Sequence, residues 1–265
     1  MAIAKIHPTA IIDPSAQLDS SVEVGAYTVI GADVKIDAGT RILNHVSISG
    51  PTTIGKNNQI FQFSSLGEAP QDKKYKGEPT RLTIGDRNHI REYCTFNTGT
   101  VQDGGLTSMG DDNWIMAYVH IAHDCHVRSN TIIANSVQLA GHVVVGNWVI
   151  LGGMSGVHQF ITIGDHAMTA FQTKVMQDVP PFVMAAGYPA APAGINSEGL
   201  RRRGFSADSI LFIKRAYKVI YRQSLPLTEA RVELKKLEAD APEEAKQHIA
   251  ALEAFLGQAT RGIIR

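Results

Sequence analysis

An aliphatic residue recurs at every sixth position over most of the chain, and this period constrains the fold more than any other feature. The period runs from Ile6 to Leu66, returns from Ile84 to Phe96, and continues from Met109 to Val175. Thr169 is the only polar residue among these positions. A helix repeats about every 3.6 residues and a strand every two, so a period of six fits neither. It is typical of a parallel β-helix in which each hexapeptide supplies one short strand and one turn.

Three hexapeptides would form one triangular coil of about 18 residues, and roughly nine coils would stack about 4.8 Å apart. Only one narrow inward position per hexapeptide has to be filled. This arrangement accounts for an aromatic content of only 7% and for the 24 glycines, many of which suit tight corners.

Two polar, glycine-containing segments interrupt the period and are expected to be loops that leave the coil. The first covers residues 67–83; because Leu66 and Ile84 are 18 residues apart, the phase of the repeat is kept. The second covers residues 97–108 and shifts the phase by one. Loops on a rigid scaffold often carry functional residues, so both are candidate parts of a site.

The period ends near Val175, and the Pro/Gly/Ala-rich stretch VPPFVMAAGYPAAPAG follows as a connector. Beyond it the apolar spacing becomes helical, with Ser206 a candidate N-cap and Pro242 expected in a first turn. We therefore expect a mainly β protein with a helical C-terminus: a β-helix domain at 1–190 and an α-helical domain at 191–265.

The chain has 25 basic and 25 acidic residues, and this balance hides an asymmetry. Residues 200–265 carry 13 basic and 8 acidic side chains, whereas residues 1–199 carry 12 and 17. A net charge of zero argues against bulk binding of nucleic acid. The basic tail is either an ordinary solvated helix surface or a face that receives a phosphate or an acidic protein.

Cysteine usage and hydropathy bear on location. Cys94 and Cys125 provide no disulfide framework and suit a reducing cytosol. The N-terminal residues lack the apolar core of a signal peptide, and no stretch approaches the roughly 18 apolar residues of a membrane span. We expect a cytoplasmic protein without a transmembrane helix.

Five of the ten histidines fall in one part of the chain: His120, His123, His126, His142 and His158. With about 18 residues per coil, His123 lies beneath Gly141 and Gln159, and Asp124 lies beneath His142. An imidazole is the usual general base near neutral pH, and a neighbouring carboxylate can hold its tautomer. A glycine lets a backbone N–H approach a reacting carbonyl closely. The alternative is that these histidines are polar corner residues.

A metal site is a competing interpretation, since residues 120–126 read HxxHxxH with Cys125 nearby. In a six-residue coil, however, His120 and His126 would lie on different faces of the triangle. They could meet only through adjacent subunits, and the sequence lacks an obvious spacing for that arrangement. We therefore expect no metal.

Six short motifs resemble, in order, those of the acyl-carrier-protein:UDP-N-acetylglucosamine O-acyltransferases, which open lipid A biosynthesis. The resemblance covers the whole chain, including its TRGIIR ending. The motifs are GEPTR at 77–81, HIAHDC at 120–125, LAGHV at 139–143, VHQF at 157–160, QDVPP at 177–181 and SEGLRRRGF at 197–205.

This resemblance implies a left-handed β-helix and a homotrimer with active sites in clefts between subunits. It implies transfer of an (R)-3-hydroxyacyl group from the phosphopantetheine thioester of acyl carrier protein to the 3-hydroxyl of UDP-N-acetylglucosamine. No metal or redox cofactor is required, and Cys125 is expected to be structural.

Residue roles carry over by matching motif. His123 would be the general base, Asp124 would orient it, and the Gly141 N–H would be the oxyanion donor. The remaining matches are His142, His158 and Gln159 lining the site, His120, Asp72 and Lys74 near the sugar, and Asn196, Glu198, Arg202 and Arg203 near the nucleotide and its phosphates.

Two positions depart from the family pattern. Asn97 stands where the family often has a histidine, so that contact is not carried over. Phe171 stands where some members have glycine, in the region that ends the acyl groove. Because close-packed interiors cannot absorb the added ring, we expect a shorter preferred acyl chain.

Three other functions are compatible with the repeat. They are acyl or acetyl transfer from coenzyme A, a non-catalytic assembly scaffold, and a γ-type carbonic anhydrase. The stacked His123, Gly141 and Gln159 argue against a scaffold, and the basic RRRGF segment favours a carrier protein and a nucleotide over coenzyme A.

Overall fold

The computed structural model describes residues 5–259 and 261–265. Most of its short strands pair in parallel with partners one coil away, usually at an offset of 18 residues, as in Lys5 with Glu23 and Ile132 with Ile150. The strands make three sheets, which are the faces of a triangular prism. The fold is the parallel β-helix expected from the hexapeptide period, with the left-handed sense that the family resemblance implied, followed by helices.

Within each sheet, an interior strand of the coils pairs in parallel with the strand one coil before it and the strand one coil after it. The first sheet holds Lys5–Ile6, Glu23–Val24, Arg41–Ile42, Gln59–Ile60, His89–Ile90, Trp114–Ile115, Ile132–Ile133, Ile150–Leu151, Met168–Thr169, Val183–Ala186 and Ala191–Ile195. The second holds Ile11–Ile12, Val29–Ile30, Ser47–Ile48, Ser65–Glu68, Thr95–Asn97, His120–Ile121, Gln138–Leu139, Gly156–Val157 and Lys174–Val175. The third holds Gln17–Leu18, Val34–Ile36, Thr52–Ile54, Arg81–Ile84, Leu106–Met109, His126–Val127, Val144–Val145 and Thr162–Ile163.

The turns between sheets form three corners of the prism. We name them the first corner, between the first and second sheets; the second corner, between the second and third; and the third corner, between the third and first. Many corner residues have positive φ although they are not glycine, including Asp124 at +58° and His142 at +64°. This backbone conformation recurs coil after coil, so corner side chains stack in columns.

The aliphatic position of each hexapeptide points into the prism. From Val24 onward these residues are buried, whereas Ile6 is 43% exposed because no coil among the described residues packs beneath it. Thr169, the polar exception, is fully buried. Its Oγ1 accepts a hydrogen bond from the Gly152 N–H at 2.9 Å and lies 3.4 Å from Ser155 Oγ, which explains how a hydroxyl fits there.

Both interruptions of the period are insertions at the second corner, and the sheets continue across them. Across the first loop Gln59 pairs with His89 at an offset of 30, and across the second loop His89 pairs with Trp114 at an offset of 25, whereas coils without an insertion between 5 and 175 have an offset of 18. The first loop covers 69–80 and the second 98–105, the latter with a 3-10 turn at Val101–Asp103. Both are shorter than the expected 67–83 and 97–108, because the flanking strands lengthen to three or four residues.

After the last coil the chain makes an antiparallel hairpin, Val183–Ala186 with Ala191–Ile195, where only a connector was expected. Four helices follow: α1 (Ser197–Arg202), α2 (Ala207–Arg222), α3 (Leu227–Ala239) and α4 (Glu243–Gln258).

The helices have a core of their own, which includes Ile213, Leu234 and Ile249. Ser206 caps α2 through a 3.0 Å bond to its Oγ from the Ser209 N–H, as expected, while Pro242 is the N-cap of α4 rather than part of its first turn. Within the described residues, no helix has the length and apolar character that crossing a membrane requires.

Candidate active site at the second corner

His123 and Asp124 lie at the second corner, directly after the strand His120–Ile121. His123 Nδ1 is 2.8 Å from Asp124 Oδ2. The carboxylate is fully buried, and the imidazole is 15% exposed. The carboxylate can only accept, so Nδ1 carries the hydrogen and Nε2 keeps its lone pair. No group in residues 5–259 and 261–265 hydrogen-bonds to that Nε2, which leaves it able to take a proton.

The second loop and the strand after it hold the Asp124 carboxylate in place. Thr100 donates to it twice, from N–H to Oδ1 at 2.7 Å and from Oγ1 to Oδ2 at 2.6 Å. The Asp124 N–H donates to Thr107 Oγ1 at 2.8 Å. Neither threonine was predicted from the sequence. The one nearby residue that the sequence analysis singled out is Asn97, three positions before Thr100.

Gly141 lies one coil above His123, and its backbone packs against the imidazole. A Cβ built at Gly141 would stand 2.5 Å from His123 Cε1 and 2.7 Å from Nε2. Any side chain there would therefore displace the ring. The Gly141 N–H has no hydrogen-bond acceptor in the described chain, although its carbonyl accepts from Phe160. The backbone of Gly141, whose N–H is unbonded in the described chain, thus packs against a ring whose Nε2 is also unbonded there, and such a pair of groups can serve an oxyanion and a proton transfer together.

His142 joins this group from the next coil. Its Nδ1 is 2.7 Å from Asp103 Oδ2, its Nε2 is 3.8 Å from Asp124 Oδ2, and its ring stacks on Phe160 with centroids 4.2 Å apart. Asp103 comes from the 3-10 turn of the second loop, which therefore closes over the corner. The predicted stacking of Asp124 beneath His142 is what the structure shows.

His120, His158 and Gln159 flank the corner. Thr95 Oγ1 lies 2.8 Å from His120 Nδ1, and burial lowers the pKa of His120. Arg261, which was not predicted as a site residue, reaches this place from the chain end. Its guanidinium donates to the Gln159 carbonyl at 3.2 Å and lies 3.4 Å from His158 Nδ1.

Asp72 and Lys74 lie in the first loop, which leaves the same corner. The Lys74 N–H donates to Asp72 Oδ1 at 2.9 Å, and the Lys74 side chain is exposed. Asn97, at the position where the family often has histidine, anchors the start of this loop. Its amide donates to the carbonyls of Ala69 at 3.0 Å and Glu68 at 3.4 Å.

The four residues expected near a nucleotide gather elsewhere, around α1 at the third corner. Asn196 caps α1 and also donates to the His166 carbonyl at 3.1 Å. Glu198 pairs with Arg202 at 3.0 Å. Arg203 Nη1 is 3.4 Å from His166 Nδ1, and burial together with this guanidinium lowers the pKa of His166 to about 4.

One chain therefore does not bring all the expected site residues together. The catalytic candidates occupy the second corner, and the nucleotide candidates the third. Phe171 lies at the first corner and is 64% exposed, away from the groove beside His158 in its own chain.

The donor atoms of His123, Asp124 and His142 lie within 4.8 Å of one another, which is a set that zinc accepts. An ion there would have to displace the His123–Asp124 hydrogen bond. His120 and His126 lie in the second and third sheets respectively, as the period predicts, so the HxxHxxH segment does not converge in one chain. Cys125 is buried, which raises its pKa to about 12, and its thiol donates to the Ala140 carbonyl at 3.1 Å.

Comparison with known proteins identifies the family of this chain. Residues 178–264 match a family model described as UDP-N-acetylglucosamine O-acyltransferase, domain 2, and residues 107–141 match a bacterial transferase hexapeptide model. An acyl-[acyl-carrier-protein]–UDP-N-acetylglucosamine O-acyltransferase from Janthinobacterium sp. (strain Marseille) is 64% identical over 99% of this chain and 100% of its own. One from Burkholderia orbicola is 54% identical over the same shares.

Solved structures show the same likeness. A UDP-N-acetylglucosamine O-acyltransferase from Moraxella catarrhalis is 46% identical with a TM-score of 0.95, covering 98% of this chain and 100% of that one. A UDP-N-acetylglucosamine acyltransferase from Francisella novicida is 41% identical with a TM-score of 0.94, covering 98% and 94%. The chain therefore belongs to the UDP-N-acetylglucosamine O-acyltransferase family and is an acyltransferase.

Proposed function

We propose that the protein transfers an (R)-3-hydroxyacyl group from acyl carrier protein to the 3-hydroxyl of UDP-N-acetylglucosamine, the first step of lipid A biosynthesis. The names of relatives up to 64% identical support the donor and the acceptor. The observation that carries the chemistry is the second corner, where a buried Asp124 fixes His123 and leaves Nε2 beside the Gly141 N–H.

In the proposed step, His123 Nε2 takes the proton of the sugar 3-hydroxyl while the oxygen of that hydroxyl attacks the thioester carbonyl carbon. The Gly141 N–H donates to the oxyanion that forms. The C–S bond then breaks, and the leaving thiolate receives the proton from the imidazolium. Asp124 stabilises the imidazolium in between. The donor arrives on phosphopantetheine, and the step uses neither a metal nor a redox cofactor.

Recognition of the acceptor is assigned to the polar groups around the catalytic pair. We assign His120, Asp72 and Lys74 to the sugar, and His142, His158 and Gln159 to the walls of the site. The third-corner group, Asn196, Glu198, Arg202 and Arg203, is assigned to the nucleotide.

We also propose a homotrimer in the cytoplasm. The catalytic candidates and the nucleotide candidates lie at different corners of one prism, so a site that uses both must form between copies. Cys94 and Cys125 are free and buried, which suits a reducing compartment.

The decisive experiment is an assay of the purified protein with UDP-N-acetylglucosamine and 3-hydroxyacyl carriers of graded chain length, for the wild type and His123→Ala. The wild type should form the 3-O-acyl product, and the variant should lose turnover while keeping its oligomeric mass. A variant that retained near-normal turnover would remove His123 from the mechanism. Parallel assays with coenzyme A thioesters would show whether the carrier is the true donor.

One observation favours a second candidate, since His123, Asp124 and His142 present donors within 4.8 Å of one another. This donor set could hold zinc, as in a hydratase of the γ-carbonic anhydrase type, if the His123–Asp124 hydrogen bond were displaced. Stoichiometric zinc in the purified protein together with CO2 hydration would establish this second activity beside acyl transfer.

A further inference from the structure

An apolar groove of about 370 Å³ runs along the outer face of the second sheet, starting beside the catalytic corner. His120 forms its lower end, and His158 lies two rungs higher, directly after the strand Gly156–Val157. Its walls are Leu139, Ala140, Gly156, Val157, Val175 and Met176. Gly156 leaves open space where a side chain would stand, since nothing lies within 4 Å of a Cβ built there.

Lys174 stands at the far end of this groove. It occupies the same column of outward positions as His120, because the parallel pairs His120–Gln138, Gln138–Gly156 and Gly156–Lys174 stack it three rungs higher. Lys174 is the one charged side chain among the described residues that line the groove, apart from the histidines.

The chain that follows the coil fixes Lys174 in this place. Its N–H donates to the Gly187 carbonyl at 3.1 Å, and its own carbonyl accepts from the Ala190 N–H at 2.8 Å. Its ammonium lies 4.7 Å from the centre of the Tyr188 ring. The segment from Gly187 to Ala190 therefore crosses the end of the sheet and holds the cation by a cation–π contact.

We propose that the Lys174 ammonium, held against Tyr188, ends the acyl groove and limits the length of the acyl chain that the protein accepts. This inference rests on the proposed acyl transfer. Three rungs span about 14 Å. That is room for roughly eleven bonds of an extended chain, because each bond of a zigzag advances the chain by only about 1.2 Å. A longer chain must either bury its end against the ammonium or displace it from Tyr188, and removing an ammonium from water without a partner is unfavourable.

Lys174 and Phe171 are separable candidates for this limit. Lys174 lines the groove of its own chain, whereas Phe171 lies at the first corner and does not. A length determinant at Lys174 acts through charge, so the test must remove the charge while keeping the bulk.

The test compares kcat/KM for 3-hydroxyacyl carriers differing by two methylenes in the wild type, Lys174→Met and Lys174→Arg. Two buried methylenes are worth roughly tenfold in affinity. We expect Lys174→Met to raise the ratio of long-donor to short-donor kcat/KM by about tenfold, and Lys174→Arg to leave it unchanged. Lys35→Met, at an exposed lysine of the third sheet, is the matched control and should behave as the wild type.

Tyr188→Leu provides a second, independent variant, because it frees the ammonium without removing it; the ratio should rise, though by less. Unchanged length profiles in both Lys174→Met and Tyr188→Leu would overturn the inference. Should the wild type transfer no acyl group from any carrier, the proposed function itself would fail. If acyl transfer occurs but the variants keep the wild-type preference for donor length, only the role of Lys174 is refuted and the proposed function stands.

Discussion

At the scale of single residues, the position of the His123 ring depends on its two neighbours. Asp124 fixes Nδ1 by hydrogen bonding, and the bare backbone of Gly141 leaves room for Nε2. Both contacts are short, so even small changes of side chain around the ring should have large effects on turnover.

Gly141→Ala should lower kcat at least a hundredfold, because its Cβ would stand 2.5 Å from the imidazole and push it away from the N–H. Steady-state kinetics measure this effect. Gly31→Ala, where the nearest atom is an ordinary 3.4 Å away, is the control and should retain activity. Equal activity in the two variants would contradict the geometry assigned to Gly141.

Thr100→Val should reduce kcat about tenfold while leaving KM for the nucleotide sugar near its wild-type value. The change removes the 2.6 Å bond from the hydroxyl to Asp124 and leaves one buried lone pair unsatisfied. If the threonine were only structural, kcat would follow thermal stability, and Thr100→Ser would not restore activity.

Phe171→Gly should lengthen the preferred acyl chain, measured as the donor profile of the purified enzyme. The ring is 64% exposed in one chain, so the effect requires a neighbouring copy to bring it to the groove. An unaltered profile would show that Phe171 does not limit the chain.

The residues that meet at the second corner could be predicted from sequence because an 18-residue coil places His123, Gly141 and Gln159 in one column. Thr100 and Asp103 could not be predicted, since they lie in a loop whose path follows no period. Arg261 is more than a hundred positions from its contact Gln159, and no local pattern indicates such a meeting.

At the scale of elements, each strand contributes to the stability of the fold mainly by burying one inward-pointing side chain. Ile133 is fully buried between rungs, whereas Ile6 belongs to the first coil and is 43% exposed. The same residue type therefore has two environments in one repeat.

Ile133→Ala should lower the free energy of unfolding by about 2–5 kcal/mol, as expected for a buried isoleucine. Ile6→Ala should change it by about 0.5 kcal/mol or less, as for surface positions. Denaturant titration of both variants provides the measurement, and similar losses would show that the end coil is as well packed as the middle.

The six-residue period predicted the strands of the coils. It did not predict the hairpin after the last coil, where the amino-acid composition suggested a connector. The hairpin Val183–Ala186 with Ala191–Ile195 was missed because its Pro, Gly and Ala residues are typical of connectors. The strands there are set by pairing with Met168–Thr169 rather than by side-chain preference.

At the scale of the whole molecule, catalytic and nucleotide candidates occupy different corners, which predicts a shared site. His123→Ala and Arg203→Ala should each be nearly inactive as pure trimers, with masses that light scattering confirms. Refolding the two variants together should restore activity, because some clefts then combine an intact His123 with an intact Arg203. Mixed trimers without recovered activity would contradict a site between copies.

Stability should fall as pH drops from about 6.5 to about 4. Burial and Arg203 lower the pKa of His166 to about 4, against 6.5 when unperturbed. In that window the unfolded chain binds a proton that the folded chain does not, so acid favours unfolding. The melting temperature of His166→Asn should decline less steeply over this window; an identical slope would assign the acid sensitivity to other groups.

The two loops at the second corner insert residues without disturbing the sheets, since pairs resume in register at offsets of 30 and 25. The sheets therefore tolerate extra chain at this corner. The loops themselves contact the candidate site, as Thr100 does at Asp124 and Asp103 at His142. A change in loop sequence can thus alter the site while the sheets, and the stability that they provide, stay intact.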